Sequence, residues 1–207
     1  MSIQVATDKQ RKLLRRRVQL LAWLTIGYNT LEGVVAIAAG LAASSVALVS
    51  FGLDSAVEVL SAIAIAWQFA GEGQHHDARE ARTRRLVAGA FGALAIYVAY
   101  EAVKGLITHS APESSAVGVW LAIASLIVMP LLVLAKRRAG RALGSATVVA
   151  DSMQTMLCTY LSAVLLVGLV LNATLGWWWA DPLAALMIAA VAAREGYETW
   201  QGEEDCC

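Results

Sequence analysis

The sequence predicts an all-α membrane protein, a bundle of six transmembrane helices with both termini on the cytoplasmic side. Composition, apolar run length and the placement of basic residues predict it. Hydrophobic residues make up 58% of the 207 residues and charged residues only 15%, too little charge to wet a soluble surface. Apolar runs recur at Val18–Ala42, Val46–Ala70, Leu86–Ile107, Val117–Ala135, Thr147–Leu171 and Pro182–Ala193. Most approach the roughly 20 residues that a spanning helix requires. The formal net charge of zero conceals a strict alternation. Lys9, Arg11, Lys12 and Arg15 to Arg17 precede span one, Arg79 to Arg85 follow span two, Lys136 to Arg141 follow span four, and Arg194 follows span six. The alternate loops contain no Lys or Arg, so the positive-inside rule puts both termini in the cytoplasm. Topology thus accounts for the basic clusters, and they imply no nucleic-acid partner.

Three segments follow: a basic cytoplasmic segment over 1–17, a transmembrane domain over 18–200 and a short tail over 201–207. The run after Arg17 exceeds the roughly 7–15-residue apolar stretch of a signal peptide, so it reads as a retained helix. Gly40–Ser45 reads as a tight outer hairpin, Gly71–Arg85 as a polar, partly helical connection, and Thr108–Ser115, with Pro112, as an outer loop. Pro130 predicts a kink late in span four, which neighbouring helices in lipid can accommodate. Trp177, Trp178 and Trp179 suit an interfacial anchor. Asp181-Pro182 reads as the start of span six, Asp as N-cap and Pro at the first helical position. That span is short, and the tryptophans before it and Tyr197 after it extend it to both interfaces. Cys206 and Cys207 are adjacent in the tail, where thiols stay reduced, so no disulfide framework is expected.

Within these spans lie five acidic side chains, Glu32, Asp54, Glu58, Glu101 and Asp151, and among basic residues only Lys104 shares the stretches. A charge at bilayer depth costs about 2.5–3.5 kcal/mol even on lenient insertion scales, so such groups should face one another or a cation. Glu101 and Lys104 are three apart and neutralise each other. Asp54 and Glu58 are four apart and share one helix face, with Ser61 a turn further on. Asp151, Gln154, Cys158 and Ser162 form one stripe on span five, and Thr25, Asn29 and Glu32 another on span one. Spans two and five are antiparallel, which brings Asp54, Glu58, Gln154 and Cys158 to a shared pocket near the midplane, with Asp151 toward the inner face. Two carboxylates, a thiolate and an amide oxygen supply four ligands for zinc or a related divalent ion. Asn29 and Glu32 are accessory pathway candidates. His75, His76 and Asp77 form a weaker cytoplasmic cluster, in which adjacent histidines chelate poorly from one helix face.

These residues carry a family resemblance. Ser45 to Glu58 (SVALVSFGLDSAVE) and Thr147 to Pro182 (TVVADSMQTMLCTY…GWWWADP) resemble the cation diffusion facilitators, metal/proton antiporters with six transmembrane helices that are usually dimeric. The resemblance implies an acidic pair on span two, here Asp54 and Glu58. It also implies a His-x-x-x-Asp motif on span five, where this chain has Gln154 and Cys158. Gln removes the group best suited to titrate near neutral pH, and Asp151 or Glu32 is positioned to compensate. Asn29 matches a polar position of the family's first helix. The family's cytoplasmic domain has no counterpart after Trp200, so the chain resembles a short, transmembrane-only branch whose homodimer would rest on helix contacts.

The resemblance implies no enzymatic activity and no permanently bound cofactor. The expected function is efflux of a divalent transition metal, zinc or cadmium, cobalt or iron, in exchange for protons across the cytoplasmic (inner) membrane. The partners are then the lipid bilayer, the metal ion and protons. Two alternatives stay open: a non-transporting metal-binding or regulatory membrane protein of the same fold, and a small-molecule/proton exchanger. An enzyme ranks behind them, because the sequence has no His-Glu-x-x-His and no Gly-x-Ser-x-Gly.

Overall fold

The computed structural model of the chain describes residues 8–70, 76–109 and 112–201. Among these, six helices follow one another: α1 (Asp8–Ala43), α2 (Val46–Ala70), α3 (His76–Thr108), α4 (Ala116–Leu143), α5 (Ala146–Leu175) and α6 (Ala180–Gln201). The turns α1–α2, α3–α4 and α5–α6 gather at one end, called here the hairpin end. The start of α1 and the finish of α6 lie at the other, the terminal end.

Large apolar side chains such as Trp23, Leu31, Leu41, Ile96, Trp120 and Leu131 stay exposed along the outside, as they do when hydrocarbon rather than water is the solvent. Phe51, Leu48, Met129, Leu165 and Ile188 fill the core. Among the described residues, five helices are long and apolar enough to cross a membrane. The sixth, α6, is long enough but carries Asp181, Arg194 and Glu195. The protein is thus a multi-pass, all-α membrane protein.

Several helices outrun their apolar runs. α3 begins at His76, so much of the expected polar connection is its first turns, and α4 continues through Pro130 to Leu143. Helical hydrogen bonding needs no apolar side chains once the helix has left the hydrocarbon. At the terminal end, α4 stops at Gly144 in the left-handed region (φ 67°). Ser145 then caps α5 by accepting from the Val148 N–H.

Two contacts set the register of α2, the helix that carries the acidic pair. Gly33 of α1 lies against Gly52 of α2 so closely that a Cβ on Gly52 would stand 2.9 Å from the Gly33 carbonyl oxygen. Bare backbones therefore meet there, two residues before Asp54. At the hairpin end, Asp181 departs from its expected role. It sits inside the first turn of α6, 1% exposed, and caps α2 instead. Its carboxylate accepts from the Ser45 hydroxyl and, at 3.3 Å, from the Ala47 N–H, while Ser45 Oγ accepts from the Leu48 N–H at 3.1 Å. The N-terminus of α2 has free donors, and a carboxylate brought by another helix satisfies one of them.

Candidate cation site in the middle of the bundle

Asp54 and Glu58 lie on one buried face of α2, 6% and 2% exposed. α5 crosses them in the opposite direction, so that Asp151 meets Ser61 and Thr155 meets Glu58. Cys158 is 2% exposed and follows Gln154 by one turn of α5. Asp54, Glu58 and Gln154 line one small cavity, about the size of a single water or bare ion, with Phe91 of α3 among its apolar walls. α6 closes its last side with Val191, Ala192 and Glu195. Of the expected ligands, Asp54, Glu58 and Gln154 share this hole, whereas Cys158 is buried but does not line it. They do not close onto one point: among the described residues no three His, Cys, Asp or Glu side chains form a ready metal cage.

Lys136 changes the charge arithmetic. It was expected in a cytoplasmic loop, with Lys104 the sole cation among the spans; instead it is a fully buried residue of α4, 2% exposed. Its Nζ lies 2.7 Å from Asp151 Oδ2 and 3.7 Å from Glu58 Oε1. It also donates to Thr155 Oγ1 at 2.8 Å, and Thr155 in turn donates to Glu58 Oε1 at 2.7 Å. One ammonium thus serves two carboxylates, and Ser61 donates to the other oxygen of Asp151 at 3.4 Å. Asp151 is turned toward this network and is not among the cavity's lining residues. Glu58 belongs to both: Oε1 is held by Thr155 and Lys136, while the buried Oε2 has no hydrogen-bond partner.

The stripe of α1 forms a second polar seam. Glu32 is 1% exposed; its Oε2 accepts from Ser55 of α2 at 3.0 Å, and Oε1 has no hydrogen-bond partner. Tyr28 and Ser125 stand around this carboxyl. Asn29 donates to the Thr25 carbonyl at 3.1 Å and leaves its own Oδ1 unpartnered. Farther along α5, Ser162 donates to Ser125 of α4 at 3.0 Å. Glu101 and Lys104 pair at 3.2 Å as their spacing predicts, on the exposed face of α3. His75 lies outside the described residues, as do Cys206, Cys207 and the side chains of His76 and Asp77.

Helical spacing carries the signal for the residues missing from the sequence expectation. Gly118, Ala122, Ser125, Met129, Val133, Lys136 and Gly140 are all buried on α4 at intervals of three and four. Lys136 thus continues an apolar stripe, although it opens a Lys-Arg-Arg run that looks like a topology signal. Thr155 lies midway between Asp151 and Cys158 on α5, and Glu195 follows Ile188 and Ala192 down α6.

Comparison with known proteins adds an independent line. Residues 84–200 match the cation efflux transmembrane domain, more than half of the chain. The chain is 28% identical over 185 residues to the cation-efflux pump FieF of Shewanella oneidensis, covering 87% of this chain and 58% of that protein. It is 31% identical over 150 residues to an uncharacterised transporter of Synechocystis sp., covering 69% of this chain and 48% of that protein. An uncharacterised transporter of Methanocaldococcus jannaschii is 28% identical over 191 residues, covering 88% of this chain and 67% of that protein. The chain thus spans about half the length of the first two.

Proposed function

This chain belongs to the cation efflux transmembrane domain family, and on that premise we propose that it carries a divalent transition-metal cation out across the cytoplasmic membrane in exchange for protons. One observation carries the reading. Asp54, Glu58 and Gln154 line an ion-sized cavity inside the bundle, and the buried Cys158 follows Gln154 by one turn of α5. Carboxylate oxygen and thiolate sulfur suit zinc, the softer cadmium, and the borderline ions cobalt(II) and iron(II). Each such ligand must be deprotonated to bind metal, so metal and protons compete for the same atoms, which is the physical basis of exchange.

Entry from the terminal end, the cytoplasmic side in this reading, would pass Glu195. That residue lies three positions beyond Ala192 on the cavity wall and is itself only partly buried. Closure of the ligands onto the ion would draw α2 and α5 together, and release would follow when they part toward the hairpin end. Glu32 supplies a further buried oxygen across the α1–α2 seam.

The test is metal uptake into proteoliposomes under an imposed pH gradient, run with zinc, cadmium, cobalt and iron(II). Wild-type protein should drive uptake of at least one, and Asp54→Ala should abolish it with the helical circular dichroism unchanged. Undiminished flux in Asp54→Ala would refute the site. Zinc binding by wild-type vesicles without gradient-driven uptake would favour a metal-binding protein that does not transport.

A further inference from the structure

Lys136 is the one cation within reach of the buried carboxylates among the described residues, and its contacts are unequal. It lies 2.7 Å from Asp151 but 3.7 Å from Glu58. The near contact is a close charge-assisted hydrogen bond; the far one is longer, with Thr155 bridging the gap. Glu58 is thus held by one oxygen through a hydroxyl, while its other oxygen is buried and without a partner. The same carboxylate lines the cavity beside Asp54. A group built only to neutralise Lys136 would be expected to use both oxygens, as Asp151 does with Lys136 and Ser61.

We propose that Lys136 is a tethered counter-cation that shares Glu58 with the transported ion, yielding Glu58 when the ion binds and reclaiming it when the ion leaves. This rests on the reading of Asp54 and Glu58 as cargo ligands. A carboxylate pair facing a cavity in a low-dielectric interior would otherwise hold a divalent ion too tightly to release it. A lysine fixed to α4 and anchored by Asp151 gives Glu58 an alternative partner inside the protein. The empty carrier is thereby spared an unpaired charge at Glu58, and the ion's departure is favoured. Because Lys136 is on α4, Asp151 on α5 and Glu58 on α2, exchange of partners at Glu58 also couples ion occupancy to the contact between α2 and the α4–α5 hairpin.

Two substitutions on the full chain separate this from a merely structural pin, with Zn²⁺ binding in detergent measured by calorimetry beside Zn²⁺ uptake in proteoliposomes. Lys136→Met removes the internal competitor. The Kd for Zn²⁺ should fall about tenfold, the handicap of a site about nine-tenths occupied by its own partner, and maximal uptake should fall with it because release slows. Lys136→Arg keeps the charge but offers a planar fork that holds carboxylates in pairs, so Kd should rise. A pin would weaken binding in both variants. Unchanged Kd, or shifts of the same sign in the two, would overturn the proposal. If Lys136→Met does not fold, Lys136→Met combined with Asp151→Asn removes both charges of the close pair, and the same fall in Kd is expected. Asp54→Ala separates the two levels. Full Zn²⁺ binding there would sink the site and this inference together. Lost binding there, with wild-type Kd in the Lys136 variants, would sink this inference alone.

Discussion

Asp181 and Glu58 are both buried carboxylates, 1% and 2% exposed, yet the hairpin end and the middle of the bundle treat them differently. At the hairpin end each Asp181 oxygen has a donor, the Ser45 hydroxyl on one and the Ala47 N–H on the other. The loops around it are tied as well: Asn172 donates to the Pro112 carbonyl at 2.9 Å, and the Glu113 N–H to the Ala43 carbonyl at 2.8 Å. In the middle, Glu32 and Glu58 each have one oxygen bound and one without a hydrogen-bond partner. A saturated carboxylate fixes geometry and can accept little else. A half-saturated one is held in place and can still accept a cation. In the proposed reading, the difference in what surrounds them, not burial, separates structural from functional acid.

Substitutions test that contrast. The largest loss of stability is expected from Asp151→Ala, which takes the nearer partner from Lys136 and weakens a buried ion pair, worth about 3–5 kcal/mol when broken. Thermal unfolding in detergent measures it, and an unchanged midpoint would mean that Lys136 is satisfied elsewhere. Asp181→Ala comes next. It removes the acceptor from the donors at the start of α2, a loss of about 1–3 kcal/mol, but zinc flux per folded molecule should persist. Flux lost with stability intact would reverse the roles assigned to the two regions. Thr155→Val removes the hydroxyl that orients Glu58, and a comparable outer partner of a metal ligand is worth about 10–100-fold in affinity. Zinc titration reads that effect directly. The smallest change belongs to Glu101→Gln, whose partly exposed pair with Lys104 should leave stability within about 0.5 kcal/mol and flux unaltered; a dead transporter would place α3 in the pathway.

How much of this was legible follows from which interactions are local. Apolar run length announced the helices, and three-and-four spacing placed Asp54 with Glu58 and Gln154 with Cys158 on their faces. Those properties belong to single helices. Lys136 was hidden because its neighbours Arg137 and Arg138 make a basic run, and a run's charge says nothing of which member turns inward. Continuing the α4 stripe beyond Ala135 would have exposed it. Asp181 looked like a cap for its own helix, and only tertiary packing shows that it caps another. Glu195 was invisible for a related reason: its significance comes from the wall that α6 supplies to a cavity made by α2 and α5.

X-ray absorption at the zinc edge tests the central claim most directly, that the cavity between α2 and α5 holds the cargo. The zinc-loaded protein should carry Ser in place of Cys206 and Cys207, leaving Cys158 as its sole thiol. A mixed shell with one sulfur at about 2.3 Å, lost on Cys158→Ser, is the predicted result. A zinc shell of oxygen and nitrogen alone, the same with and without Cys158, would contradict it.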